Sequence, residues 1–279
     1  MLRRPIPTPS PISKPVLGLF VAVFLCVATA KGDTIGIFYA LDADLQGLKT
    51  LAREMGQSYK VGTRSIQRLQ LGTHIIYAVK MGSGAVETAA SAQALMSRFR
   101  CDWAFSLGPA GALSEVVQTG CWYRVDRVRA WQSGKTDLTW NTDWSRLPVT
   151  NMPAFLHTSS TISVASGEQF IDTTGERDRL RALTQADTVD MNSFGLALVC
   201  SDHGVPLFSW KIISDHADEH AAEIFRSFIS TYSGEGGKAL AEIIQALPAN
   251  PNDPATYPNI ERLLRNTRSG TQYPSNSMP

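Results

Sequence analysis

The stretch Thr188–Asp218, TVDMNSFGLALVCSDHGVPLFSWKIISDHAD, reads as strand, helix, strand. Thr188–Met191 is a short β-like run. Ser193–His203 places Phe194, Leu196, Ala197, Leu198 and Cys200 at near-helical spacing, and Gly204 supplies a helix stop. Val205–Ile213 is almost continuously apolar, the pattern of a strand covered on both faces in a parallel sheet. Both strands end in polar residues, Asp190-Met191-Asn192 and Ser214-Asp215. In open α/β sheets ligands bind beyond the carboxyl ends of the strands. The two polar ends therefore point into one crevice, the candidate site.

The rest of the chain repeats the same alternation. Thr34–Ala40 is a buried-strand run, followed by Asp42, Asp44 and a helical stripe through Leu45, Leu48, Leu51 and Met55. Asp42 reads as a helix-start acid, and Asp44 reads either as another or as a site carboxylate. Thr73–Lys80 is a strand, Met81-Gly82-Ser83-Gly84 a turn, and Ala85–Arg100 a helix. A glycine turn before a helix suits an anion, yet sharp turn geometry alone explains it. Trp103–Gly108 is a strand with Gly108-Pro109-Ala110-Gly111-Ala112 as its loop; Cys121–Trp131 and Thr161–Ala165 are strands; Glu176–Leu183 is helical. Ser133–Pro153 reads as a surface excursion, with Trp131, Trp140 and Trp144 as candidates for a dimer surface. Glu219–Leu247 is a helix with a break near Ser233–Gly237.

The chain of 279 residues is 43% apolar and 18% charged, the balance of one large α/β domain. Residues 1–30 stand apart. Arg3, Arg4 and Lys14 precede the apolar run Val16–Val27, and Ala28-Thr29-Ala30 follows, as in a secretory signal cut after Ala30. The alternative is an uncleaved anchor helix, for which the run is short against the roughly 20 residues of a span. Cleavage removes three bases and no acid, changing the net charge from +1 to −2. The division expected is thus a signal at 1–30, a domain at 31–250 and a Pro-, Asn- and Ser-rich tail at 251–279. The dispersed charge argues against nucleic acid, and against a membrane surface once the signal is gone. Cys101, Cys121 and Cys200 are no disulfide framework, though an oxidising compartment would permit a Cys101–Cys121 bridge. His216-Ala217-Asp218-Glu219-His220 matches H-x-x-E-H, a metal pattern if helical and otherwise a polar turn after a strand. No further ligand is evident, so no metal is assigned.

Six landmarks in order carry a resemblance: Ile35-Gly36-Ile37 with the acidic turn at Asp42–Asp44; Lys80–Gly84; Gly108–Gly111; Ala165-Ser166-Gly167-Glu168-Gln169-Phe170-Ile171; Val189-Asp190-Met191-Asn192; and Ile213–Asp218. Together they resemble the nucleoside phosphorylase/nucleosidase superfamily, most of all the methylthioadenosine/S-adenosylhomocysteine nucleosidases. The resemblance spans most of residues 34–247. It implies a single three-layer α/β domain with a twisted mixed sheet flanked by helices, a homodimer, no metal or other cofactor, and a purine nucleoside as the small-molecule partner. The implied reaction is hydrolysis of a purine N-glycosidic bond. It needs an acid beside the leaving base, a base holding water on the opposite face of the sugar, and acceptors for the ribose hydroxyls.

Carried over by residue, Asp215 matches the acid and Asp44 the carboxylate that activates water. Phe170 and Ile171 match the positions that stack on the base and meet its polar edge; Met191 matches the residue against the sugar. Phe225 and Phe228 fall where the 5′-substituent is lined, or are core residues of a helix face. Gly108 is a close-approach position at a strand end. The departures are Asn192 for a Glu that binds the ribose hydroxyls, Lys211 for an Arg, Pro109 for a Ser, and Asp44 and Asp190 each one methylene shorter than Glu. They cluster on the ribose and water side. Two alternatives follow: a non-catalytic nucleoside-binding or storage protein on the same fold, and a phosphate-dependent phosphorylase. The latter needs a cationic phosphate site, and the turns after Ala40 and Lys80 carry no Arg.

Overall fold

A computed structural model describes residues 32–132, 139–147 and 160–248. The signal, the tail and parts of the 133–153 excursion lie outside the described residues. In chain order the elements are β1 (Thr34–Tyr39), α1 (Asp42–Lys49), β2 (Arg53–Glu54), β3 (Tyr59–Val61), β4 (Arg64–Leu71), β5 (His74–Lys80), α2 (Ala85–Met96), β6 (Trp103–Ala112), β7 (Trp122–Ala130), β8 (Thr139–Asn141), β9 (Thr161–Ser166), α3 (Thr174–Thr184), β10 (Thr188–Asp190), α4 (Ser193–Asp202), β11 (Leu207–Asp215), α5 (Ala221–Thr231) and α6 (Glu235–Gln245).

The strands form one mixed sheet in the order β10-β9-β7-β11-β6-β1-β5-β4-β2. Its centre, β11-β6-β1-β5, is parallel. β7 runs antiparallel to β11, and β4 antiparallel to β5. β10 pairs with β9 on one side and with the end of β6 on the other, Val189 opposite Gly111. That second pairing curls β10-β9-β7-β11-β6 into a closed ring. The expected open sheet is therefore half barrel, and the crevice lies where the ring closes.

Alternation along β1 separates the two faces, as the strand pleat requires. Ile35, Ile37 and Tyr39 pack with Leu45, Leu48, Leu240, Ile243 and Ile244 beneath α1 and α6. Phe38 packs with Met81, Leu95, Leu196 and Cys200 beneath α2 and α4. A third cluster, Val125, Val128, Ile162, Val164 and Ile213, fills the ring. The layers are helix, sheet, helix.

Two expectations change. The segment Gly108–Ala112 is no loop: β6 continues through it, Pro109 opposite Ile212. The helix after β1 stops at Lys49, so Leu51 and Met55 lie beyond it. Trp144, one of the dimer-surface candidates, is half-buried: it packs against Phe208 and Trp210 and donates its indole N–H to the Val125 carbonyl at 3.1 Å. Cys101 and Cys121 are both free thiols, Cys101 buried and Cys121 exposed, in keeping with cysteines that form no disulfide framework.

Candidate active site

The carboxyl ends of β10 and β11 meet in a small cleft lined by Gly111, Gln169, Phe170, Ile171, Val189, Asp190, Met191 and Asp215. Phe170, Ile171, Asp190, Met191 and Asp215, all named from the sequence, are thus brought together directly.

Asp215 ends β11 and is 2% exposed. Its Oδ2 accepts from Ser214 Oγ at 2.7 Å and its Oδ1 from the Ala217 N–H at 2.9 Å. Burial raises its pKa and outweighs these two bonds, which lower it. Ala217 reaches back to it by adopting φ +50°, a left-handed backbone that L side chains disfavour. Gly111 is required here: a Cβ would stand 2.9 Å from Asp215 Oδ1. Phe170 meets Phe225 of α5 with ring centroids 5.8 Å apart, so Phe225 backs a cleft-lining ring without lining the cleft itself. Phe228, by contrast, turns to Tyr232 at 5.3 Å and to the α1–α6 core.

Asp190 and Lys211 form a buried ion pair, Nζ to Oδ2 at 2.6 Å. Burial alone would raise the Asp190 pKa, but Lys211, Ser193 and Ser166 together hold it low. Asp190 also accepts from the Ser193 N–H and, at 2.6 Å, from Ser193 Oγ, fixing the start of α4. Gly108 lies beside this pair: a Cβ there would crowd Ala40 Cβ at 3.0 Å and come into ordinary contact with Lys211 Nζ at 3.6 Å.

Asp44 sits in the first turn of α1, 2% exposed. Its Oδ1 accepts from the Tyr232 hydroxyl at 2.5 Å, and among the described residues its Oδ2 has no hydrogen-bond partner. Burial pushes its pKa up to about 7, against the lowering pull of Tyr232 and Lys211.

Asn192 is where geometry parts from expectation. Its Nδ2 donates to the Gly82 carbonyl at 2.9 Å and to Thr88 Oγ1 at 2.8 Å, so its amide donors hold the β5–α2 turn and do not face the cleft. The 216–220 segment is a turn, and α5 begins only at Ala221, so His216 and His220 share no helix face. Glu219 instead accepts from the Thr174 N–H at 3.0 Å and Thr174 Oγ1 at 2.7 Å, pinning the turn to α3.

Three residues escaped the sequence reading. Gln169 lines the cleft, Glu168 accepts from the Val86 N–H at 2.8 Å at the start of α2, and Tyr232 holds Asp44. Gln169 and Glu168 lay inside a quoted motif. Tyr232 follows an amphipathic helix like any terminal aromatic, and nothing local marks it.

Fold and site define an α/β protein with a buried acid over an aromatic-walled cleft at a sheet closure. Residues 34–245 match the family described as the phosphorylase superfamily, and the chain belongs to it. It is 25% identical over 239 residues to the 5′-methylthioadenosine/S-adenosylhomocysteine nucleosidase of Buchnera aphidicola subsp. Baizongia pistaciae, covering 79% of this chain and 93% of that protein. A stretch of 84 residues is 32% identical to aminodeoxyfutalosine nucleosidase of Helicobacter pylori, covering 30% of this chain and 36% of that one. The solved 5′-methylthioadenosine/S-adenosylhomocysteine nucleosidase of S. pneumoniae, with a transition-state inhibitor, superposes with a TM-score of 0.67 at 20% identity, over 77% of this chain and 100% of the other.

Proposed function

We propose that the chain is a purine nucleosidase that hydrolyses the N-glycosidic bond of an adenosine-type, 5′-thio-substituted nucleoside. The observation that carries this is Asp215: a carboxyl held at the cleft floor whose burial keeps it protonated above the ordinary carboxylate range. The base stacks between Phe170 and the opposite wall, and Asp215 gives its proton to the base nitrogen as the glycosidic bond breaks. Water then bonds to the sugar carbon from the other face and loses its proton to Asp44. The base leaves protonated, the sugar gains hydroxyl, and the two carboxyls re-equilibrate with solvent.

Water rather than phosphate is the acceptor because the glycine turn before α2 is already occupied. Glu168 places its own carboxylate on the Val86 N–H, where a phosphate would need to bind. The amide donors of Asn192, spent on Gly82 and Thr88, favour the second reading, a nucleoside binder without turnover.

The test is base release from methylthioadenosine, S-adenosylhomocysteine, adenosine and inosine, with and without millimolar phosphate, beside Asp215→Asn. Phosphate-independent release that falls by about 10²–10⁴ in the variant supports the proposal. Acceleration by phosphate makes the protein a phosphorylase. Saturable nucleoside binding without release makes it a binder.

The basic and apolar pattern of residues 1–30 supports export with cleavage after Ala30, to be checked by the mass of the protein recovered outside the cytoplasm. The incompletely buried apolar side chains of α5, Ile224, Phe225, Phe228 and the 42% exposed Ile229, support a homodimer, to be checked by light scattering.

A further inference from the structure

Tyr232 stands at the end of α5, in the corner where α5 turns into α6. Its hydroxyl does two things. It donates to Asp44 Oδ1 at 2.5 Å, 188 residues away in the chain, and it accepts from the Gly236 N–H at 3.1 Å. The ring is held by Phe228 at 5.3 Å and Trp122 at 6.4 Å between centroids. Gly236 is shaped to this arrangement, since a Cβ there would stand 2.8 Å from the Tyr232 hydroxyl and 2.5 Å from the Trp122 ring. Asp44 Oδ2, buried, is left without a partner among the described residues.

A carboxylate with one oxygen clamped and the other free is a directed acceptor. The fixed hydroxyl removes the side-chain rotation that would otherwise let Asp44 swing, and leaves the second oxygen's lone pairs for a water. A carboxylate one methylene shorter than Glu has less reach and gains most from being held. Because the Gly236 amide spends itself on the phenol oxygen, the phenol proton is directed to Asp44 and not shared.

We propose that Tyr232 is a positioning residue for the hydrolytic step: its hydroxyl orients Asp44 and stabilises the ionised form that accepts a proton from the attacking water. The proposal rests on reading Asp44 as the water base. Three other groups face Asp44. Glu235 of α6 disfavours its charge, the Gly237 amide favours it, and Lys211 of β11 adds a smaller favourable effect; Asp42, on the same helix, is turned to Lys80 at 2.6 Å. The Tyr232 hydroxyl itself stays protonated, because burial and the neighbouring Asp44 both oppose its ionisation.

The experiment is the pH profile of kcat/KM for nucleoside hydrolysis by the full-length protein, for wild type, Asp44→Asn, Tyr232→Phe and a 3-fluorotyrosine placed at 232. A water base must be ionised to work, so activity rises with pH through its pKa, which burial places at about 7. Removing the donor moves this acidic limb upward, so that Tyr232→Phe is about tenfold slower than wild type below the limb for each unit of displacement and approaches it above. The fluorinated phenol, a stronger donor of nearly the same volume, moves the limb downward even if Tyr232→Phe folds poorly. A limb fixed in both variants, with or without a uniform loss of rate, overturns the proposal. Failure of the underlying reading looks different: wild type releases no base, or Asp44→Asn keeps the wild-type rate and profile.

Discussion

Asp44 and Asp190 are both buried acids in one protein, and their neighbours set them opposite tasks. Asp190 has a cation at 2.6 Å and stays charged; Asp44 has a phenol, the Gly237 amide and a more distant amine, and burial pushes it up to about 7. A carboxyl whose folded pKa exceeds its unfolded 3.8 contributes stability that is fully present below 3.8 and is lost as pH rises through the folded value. Asp44 therefore destabilises the folded chain at alkaline pH. Asp44→Asn is expected to abolish base release yet raise stability at pH 8 by roughly 1–3 kcal/mol, with the difference vanishing near pH 4. Urea unfolding at the two pH values checks it, and a variant no more stable at pH 8 than at pH 4 relative to wild type would contradict it. The sequence made Asp44 a candidate because a turn after a strand places it at a sheet edge. It did not reveal the clamp, since Tyr232 is distant in the chain, nor Asn192's turn toward Thr88, since an amide beside a strand end reads alike facing either way.

Elements were legible where their periodicity was clean and their ends punctuated. The glycines near 234 marked the break between α5 and α6, and Gly234 does take a left-handed φ of 80° there. β4 was missed because its buried residues, Ile66, Leu69 and Leu71, do not alternate strictly, and its other positions are polar and only partly buried. The end of β6 was missed because Gly108 and Pro109 carry turn chemistry, although parallel pairing with β11 and closure by β10 override it. Close helix packing leaves an equally local mark only in hindsight. A Cβ on Gly237 would overlap the Asp44 carbonyl, and one on Gly47 would overlap the Gly234 carbonyl, so α1 and α6 touch backbone to backbone. Gly237→Ala must separate them, at a cost of about 1–3 kcal/mol in unfolding free energy. Because α6 follows the Tyr232 corner directly, the same variant is expected to lower kcat more than it raises KM. Steady-state kinetics beside a thermal melt separates the two effects; a stability loss with wild-type kcat would mean that the corner does not depend on this contact.

At the scale of the molecule, the cleft and the chain's structural tie lie at opposite ends of the strands. Catalytic candidates gather at the carboxyl ends of β10 and β11, while the amino ends of β1, β5 and β6 carry a buried polar cluster. There His74 accepts from the Asp33 N–H at 3.1 Å through Nδ1 and meets the Leu247 carbonyl, just past α6, through Nε2 at 3.3 Å; Trp103 donates to Asp33 Oδ2 at 3.0 Å. The first and last parts of the domain are thereby joined through one neutral imidazole. Burial lowers the His74 pKa and raises Asp33's to about 6, so it favours the neutral form of each. A histidine with a lowered folded pKa contributes stability that is present above its unfolded value near 6.5 and is lost as pH falls through the folded one. His74→Ala leaves a donor and an acceptor unpaired beside a cavity, and is expected to cost about 2–4 kcal/mol at pH 8. The gap to wild type should narrow as pH falls below 6.5, because wild type then bears the cost of charging or expelling the ring. Since the cluster lies far along the strands from Asp215, kcat/KM at pH 8 should stay within about twofold of wild type under folding conditions, the reverse of what Asp215→Asn does. A large loss of kcat/KM in folded His74→Ala would show that the two ends of the sheet are coupled, and that the cleft's geometry depends on how Asp33 and Leu247 are tied.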